Sequence, residues 1–191
     1  MRLQSANKYN LMKKIVLVIT LIATCTVCSA QLLMSRNGTI SFHSHTFLEN
    51  IDAVNEHVMA VIDGSKKNLA FSCLMKQFVF PKKLMQEHFN ENYVESDKYP
   101  KATFSGSYTE EVPFDKDGTY NITVKGKLTI HGVTKVIEQP ATLTIKGGII
   151  TGITSFKVNP TDYNIEIPFI VRNKIEKENT VKIKVEWTKK Y

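Results

Sequence analysis

The stretch KGKLTIHGVTKVIEQPATLTI, Lys125 to Ile145, breaks at His131-Gly132 into two runs in which apolar and polar side chains alternate. Read back to Tyr120, the first run puts Tyr120, Ile122, Val124, Gly126, Leu128 and Ile130 on one side, with Asn121, Thr123, Lys125, Lys127 and Thr129 on the other. A period of two sustained from Tyr120 to Ile130 predicts a β-strand buried on one face. The glycine after His131 predicts a short junction to an antiparallel partner. Strands this long commit much apolar surface to one side, and neither carries a set of reacting side chains.

The same signal recurs outward in both directions. In GTISFHSHTF, Gly38 to Phe47, Ile40 and Phe42 lie opposite His43 and His45. NIDAVNEHVMAVID, Asn50 to Asp63, alternates imperfectly and also fits a helical stripe; its neighbours favour a strand with a bend. After the Asp63-Gly64-Ser65 turn, NLAFSCLMKQFVF, Asn68 to Phe80, reads as a second long extended run. Past Pro81 a short helix is predicted over 82–93, with Leu84, Met85, His88 and Phe89 on one side, ending before Tyr99-Pro100. Beyond Pro100 come KATFSGSYTEEVPF, a Lys116-Asp117-Gly118 turn, the opening pair, a Gly147-Gly148 turn and IITGITSFKVNP. NIEIPFIVRNKIEKEN, Asn164 to Asn179, is irregular, and VKIKVEWTKKY closes the set with lysines on the wet side.

Seven to nine strands joined by tight turns suit either a sandwich or a barrel. Strand length favours an all-β, closed antiparallel barrel of about eight strands, because closure removes edges. Such a barrel is wide enough either to fill itself with side chains or to hold one slim guest.

Residues 1–30 are read separately. Arg2, Lys8, Lys13 and Lys14 precede the apolar run Ile15 to Cys28, followed by Ser29-Ala30, which is the order of a secretory signal peptide cut after Ala30. A retained anchor would need ~20 apolar residues. Lipid attachment at Cys25 or Cys28 would want a small residue just upstream, where Thr24 and Val27 stand. The expected mature chain, 31–191, is one domain with Cys73 as its single cysteine, so no internal disulfide can form and packing alone holds it. Loss of the four basic leader residues takes the formal charge from +7 to +3 and removes most of the argument for nucleic acid. The expected location is periplasmic or secreted, with no transmembrane segment in the mature chain.

Three pieces of the sequence, in order, resemble the YceI-like family. LTIHGVTKVIEQPATLTI is similar to its strand–turn–strand with Gly-x-Thr-Lys, matched by Gly132, Thr134 and Lys135. SDKYPKATFSG, Ser96 to Gly106, resembles its Phe/Tyr-Pro-x-Ala-x-Phe segment, and FKVNPTDYNIEIP, Phe156 to Pro168, its Asp-Tyr/Phe-x-Ile segment through Asp162, Tyr163 and Ile165. The resemblance runs from about Ile40 to the C-terminus. Upstream, FHSHTFLENIDAVNEHVMAVID lacks the family's Gly-x-Phe strand, and FVFPKKLMQEHFNENY is additional. The resemblance implies a lipocalin-like, polyisoprenoid-binding barrel with an elongated apolar cavity, and no catalytic residues.

Such a guest, an isoprenoid quinone, polyprenyl or fatty-acid-like chain, needs only a dry tunnel and one or two polar groups at its mouth. No other cofactor is expected. Candidate wall residues are Phe42, Phe71, Phe78, Phe80, Phe104 and Phe156, with Leu128, Ile130 and Trp187. Met85 and Phe89 would cap an open end, and Tyr93 and Tyr163 would meet a head group, as would Tyr108 or Tyr120. Each of these residues also suits a plain core. His43 and His45 share a strand face with His57 near, but no third ligand stands at a partnered spacing, so no metal is expected. Cys73, within AFSCLMK, reads as a buried inert thiol, so no enzyme is expected. The rival reading is an envelope scaffold or interaction protein with a self-filled barrel. The patterning leaves a homodimer open.

Overall fold

Eight strands form where the alternation places them, each antiparallel to the next, in a computed structural model that describes residues 32–44, 50–167 and 178–188. They are β1 (Leu32–Ser44), β2 (Ile51–Asp63), β3 (Asn68–Leu74), β4 (Lys101–Ser107), β5 (Gly118–Ile130), β6 (Val133–Lys146), β7 (Ile149–Val158) and β8 (Asn179–Thr188). β8 returns to β1 from Thr39↔Lys184 to His43↔Thr180, closing the barrel. The expected leader, His45 and residues 168–177 of the irregular stretch lie outside the described residues.

β5 and β6 pair without a slip from Gly118↔Ile145 to Ile130↔Val133, and the inward face of β5 is the one its alternation predicts. β2 is a strand with a bend, and its imperfect alternation has a definite cause. One extra residue enters β1 between Ser35 and Gly38, and one enters β2 between Asn55 and Val58. The exposed pairs Arg36-Asn37 and Glu56-His57 mark these two β-bulges. Asn55 is fully buried at the second: its Oδ1 accepts from the His57 N–H at 2.9 Å and its Nδ2 donates to the Leu74 carbonyl at 3.0 Å.

The expected long run from Asn68 to Phe80 is corrected. β3 stops at Leu74, a 3-10 turn covers Met75–Gln77, and only Val79 makes an isolated bridge, to Val54. The chain turns here because it must cross the barrel end, and Phe78 and Phe80 are buried into that end. The predicted helix is present but broken. α1 (Lys83–His88) gives way at Phe89 to a π-helical turn, Phe89–Tyr93. Of the expected apolar side, Leu84 is 61% exposed and His88 is also exposed; Met85 and Phe89 alone turn toward the barrel. No side chain caps the helix at Lys82 and no acid occupies its first turn, so it is held by those two contacts more than by its own termini.

The connections 64–67, 108–117 and 147–148 lie at one end of the barrel, the short-turn end; the 75–100 connection, the tight turn 131–132 and the turn Pro160–Tyr163 lie at the other, the long-loop end. The core divides accordingly. Tyr108, Phe114, Ile145, Ile150 and Trp187 fill the short-turn end, while Phe78, Phe80, Val94, Tyr163 and Ile165 fill the long-loop end. Phe71 and Phe104 pack against both.

Glycine decides how two large rings lie between these clusters. Gly106 and Gly126 face each other across β4 and β5, and a Cβ on Gly126 would sit 2.6 Å from the Phe104 ring and 2.4 Å from the Ser105 carbonyl oxygen. A Cβ on Gly152 would come within 2.9 Å of the Trp187 ring. Both rings therefore lie along the wall on a bare patch of backbone. In most strands glycine-to-alanine is neutral or favourable. Here Gly126→Ala is expected to cost roughly 1–3 kcal/mol by overpacking, read from urea midpoints; an unchanged midpoint would show that the Phe104 ring and the facing β4 backbone both give way without penalty.

Candidate functional site

The flattened rings leave space in the middle of the barrel. A cavity of about 80 Å³ lies there, lined by Phe71, Phe104, Leu128, Phe156 and Trp187 together with aliphatic residues such as Ile62 and Val185. On this measure one water needs ~10–15 Å³, so the room is that of about five to eight waters. The lining is almost wholly apolar and no charged residue contributes to it. A space of this kind stays dry and favours hydrocarbon over water.

The sequence-predicted wall residues separate into two groups. Phe71, Phe104, Leu128, Phe156 and Trp187 meet around the cavity. Phe42, Phe78, Phe80 and Phe89 do not; they pack on one another at the long-loop end, with Phe42 5.7 Å from Phe78, 5.7 Å from Phe80 and 5.6 Å from Phe89 between ring centroids. Met85, Tyr93, Ile130 and Tyr163 belong to the same packed end. The expected elongated bore is thus a shorter one: open at mid-barrel and closed by aromatic rings on the long-loop side. Alternation places a ring inward but does not show whether it meets a ring or lies on glycine.

Two lining residues were absent from the sequence-based wall. Gln139 and Thr154 carry the only polar side chains among the residues that line the cavity. Gln139 stands two places after Ile137 and two before Ala141, on the inward period of β6, so the alternation that located its neighbours could have located it. Thr154 donates its hydroxyl hydrogen to the Pro140 carbonyl at 2.7 Å.

The sequence pieces around the turns converge at the long-loop end. Lys135 Nζ lies 3.2 Å from Asp162 and 5.9 Å from the centroid of the Tyr163 ring, which joins the Gly-x-Thr-Lys piece to the Asp-Tyr piece. His131, at the β5–β6 turn, places Nε2 2.8 Å from Glu95 Oε2 and Nδ1 3.1 Å from the Tyr163 carbonyl oxygen, with Tyr99 packed edge-on at 4.2 Å. Glu95, His131 and Asn164 all hold positive φ, at 42°, 50° and 55°. That conformation is disfavoured for residues with a Cβ and persists where the surroundings fix it.

The remaining candidate chemistry is placed as follows. His43 Nδ1 pairs with Asp52 at 2.7 Å on the outer face, and His57 is exposed. The Tyr108 hydroxyl is buried without a partner, and burial pushes its pKa up to about 12. Burial likewise raises Tyr93 and Tyr163. Cys73 is buried and its pKa rises from 9.0 to about 11, chiefly through desolvation, so it stays a thiol at neutral pH. Because the folded state holds that proton more tightly, its contribution to stability is complete below pH 9 and disappears as the pH rises toward 11. Urea midpoints measured from pH 8 to 11 are expected to fall more steeply for the native chain than for Cys73→Ala; parallel curves would assign the loss to other groups.

Comparison with known proteins bears on this barrel as a whole. The family model of the YceI-like domain matches residues 33–187. Comparison with curated protein sequences gives no match. Among solved structures, a polyisoprenoid-binding domain from Saccharophagus degradans implicated in plant cell wall breakdown is similar with a TM-score of 0.71 at 13% identity, over 85% of this chain and all of that one. BcnA from Burkholderia cenocepacia is similar with a TM-score of 0.67 at 16% identity, over 78% of this chain and 95% of its own. A YceI protein from Campylobacter jejuni gives 0.60 at 20%, over 77% and 90%. At these identities the structures show the fold, and the family match covers nearly all of the barrel. The barrel encloses an apolar cavity, and the chain belongs to the YceI-like family.

Proposed function

We propose that this protein is an exported holder of a slim apolar molecule, an isoprenoid quinone, polyprenyl or fatty-acid-like chain, which it binds without altering it. One observation carries the reading: two of the lining rings, Phe104 and Trp187, lie on glycine and leave an apolar hollow at mid-barrel. Each methylene buried there would contribute ~0.8 kcal/mol before ordering costs, so the wall suffices as the source of affinity. The resemblance to a structure described as a polyisoprenoid-binding domain supports the same class of guest.

A long chain exceeds the room present, and the aromatic cluster at the long-loop end is what limits it. Phe89 is the ring there that rides on the weakly capped helical segment, stacked on Phe42 and 5.0 Å from Phe80. Movement of this segment by a few ångströms would extend the hollow along the barrel axis. The packed cluster also favours a second reading, a self-filled scaffold that carries no guest.

Native mass spectrometry of protein taken from its own cell envelope separates the two. The expected result is a bound lipid-sized mass; ligand-free protein alone, with Trp187 fluorescence indifferent to added polyprenols, would leave the scaffold. Trp187 is a built-in reporter, being the single tryptophan and part of the lining. Phe89→Ala is expected to lower stability by about 2–4 kcal/mol and to improve retention of longer chains over shorter ones. Equal retention of both lengths in native and variant protein would remove the aromatic cluster from the path of the guest.

A further inference from the structure

Pro140 stands in the middle of β6, the one proline inside a strand among the described residues. Thr123, opposite it on β5, turns its own N–H away from β6, to Glu110 Oε1 at 2.8 Å. The Pro140 nitrogen and carbonyl therefore face β7, and the nitrogen brings no hydrogen to that side. The carbonyl is taken by the Thr154 hydroxyl at 2.7 Å. A proline so placed ends a ladder.

The β6–β7 pairing does end there. It runs from Lys146↔Ile149 to Ala141↔Thr154, after which β6 continues to Val133 paired with β5 alone and β7 to Val158 paired with β8 alone. The wall is slit between the two, from the Thr154–Pro140 hydrogen bond to the Lys135–Asp162 ion pair. Side chains record the opening. Where the ladder holds, inward Leu143, Ile145 and Ile150 are buried; beyond it, inward Ile137 and Phe156 are only half-buried. Ile137 and Phe156 line the cavity from within, while Val136 and Ile153 are 65% and 52% exposed outside, and Ile153 also borders the cavity. Apolar surface is thus continuous from solvent to hollow.

We infer that the guest enters and leaves sideways, between β6 and β7, through the opening that Pro140 creates. This rests on the binding function proposed above and adds its route. Both ends of the barrel are closed by packed side chains, Tyr108 and Phe114 at the short-turn end and Phe42, Phe78 and Phe89 at the other. Passage through either end would take a buried cluster apart and open core to water. Passage between β6 and β7 separates one side-chain hydrogen bond at the Pro140 end, since no backbone rung joins these strands past Ala141. The side door is therefore the route that leaves the core intact.

The test follows, by stopped flow, the exchange of octyl bromide, whose bromine quenches the fluorescence of Trp187 in the lining. Glu138→Cys and Lys157→Cys, introduced together, place exposed thiols on the two lips, at positions that would oppose each other if the β6–β7 register ran on. After folding they are bridged with a bis-maleimide carrying a reducible disulfide; Cys73 is buried and stays out of the reaction. The bridge is expected to slow entry and release together, about tenfold or more, and to leave Kd unchanged, with both rates recovering on reduction. Pro140→Val, which restores an N–H toward β7, is expected to slow both rates without lowering the melting temperature. Rates that ignore both the bridge and Pro140→Val overturn the inference and leave the binding function standing. Rates that rise instead in Phe89→Ala overturn it too, and place the route at the long-loop end. Absence of any Trp187 quenching in the native chain removes the binding function and this route with it.

Discussion

Contact between an aromatic ring and a bare stretch of backbone is what the interior of this barrel depends on. Eight strands enclose a space that ordinary inward side chains can fill, and in the long-loop half they do, with four phenylalanines in mutual contact. At mid-barrel Phe104 and Trp187 are laid sideways because Gly106 and Gly126 under the first, and Gly152 under the second, remove the atoms that would hold them off the wall. Whether the lumen is hollow or solid is decided by where the glycines stand as much as by how many rings point inward. The large rings also give the hollow its dryness, since they cover backbone that would otherwise offer polar atoms to water.

The long-loop end solves a different problem. Two gaps in the ladder, between β2 and β3 and between β6 and β7, open there because the strands diverge. The first is occupied by the 75–94 connection, anchored by the Val54–Val79 bridge, Asn55 and buried Phe78. The second is narrowed by the turn carrying Asp162 and Tyr163, tied to Lys135 and His131. Pieces of sequence that look independent along the chain are thus partners in space, which explains in physical terms why they occur together. Glu95 extends the tie from the helical connection to the same histidine.

Much of this was legible before any coordinates. β5 and β6 declared themselves because thirteen uninterrupted rungs let one period persist, and the barrel followed from strand length and turn spacing. Cys73 and the outward His43 also lie as their neighbours in sequence implied. Other features were illegible for reasons that can be named. Phe78 and Phe80 keep an extended pattern while crossing an end, so alternation could not distinguish them from β3. The Gly152–Trp187 and Gly126–Phe104 contacts join residues on different strands, where pairing register rather than local pattern sets the meeting. Gln139 occupies an inward position by parity, but its polar side chain gives no signal of a hydrocarbon wall.

The paired bulges in β1 and β2 have an implication for how such a chain can change. Each insertion is absorbed as two successive outward residues, so the same side of its strand looks inward before and after it, and the two lie on opposite strands either side of Gly38, so that the pairing before Ser35 and after Ile40 keeps one common offset. Deleting Arg36 or Asn37 alone would leave Ile40 and Phe42 inward but the extra residue of β2 unmatched, whereas deleting one residue from each bulge would restore a straight ladder. Drift in this hairpin is therefore expected to be compensatory, with lengths altered together or left alone.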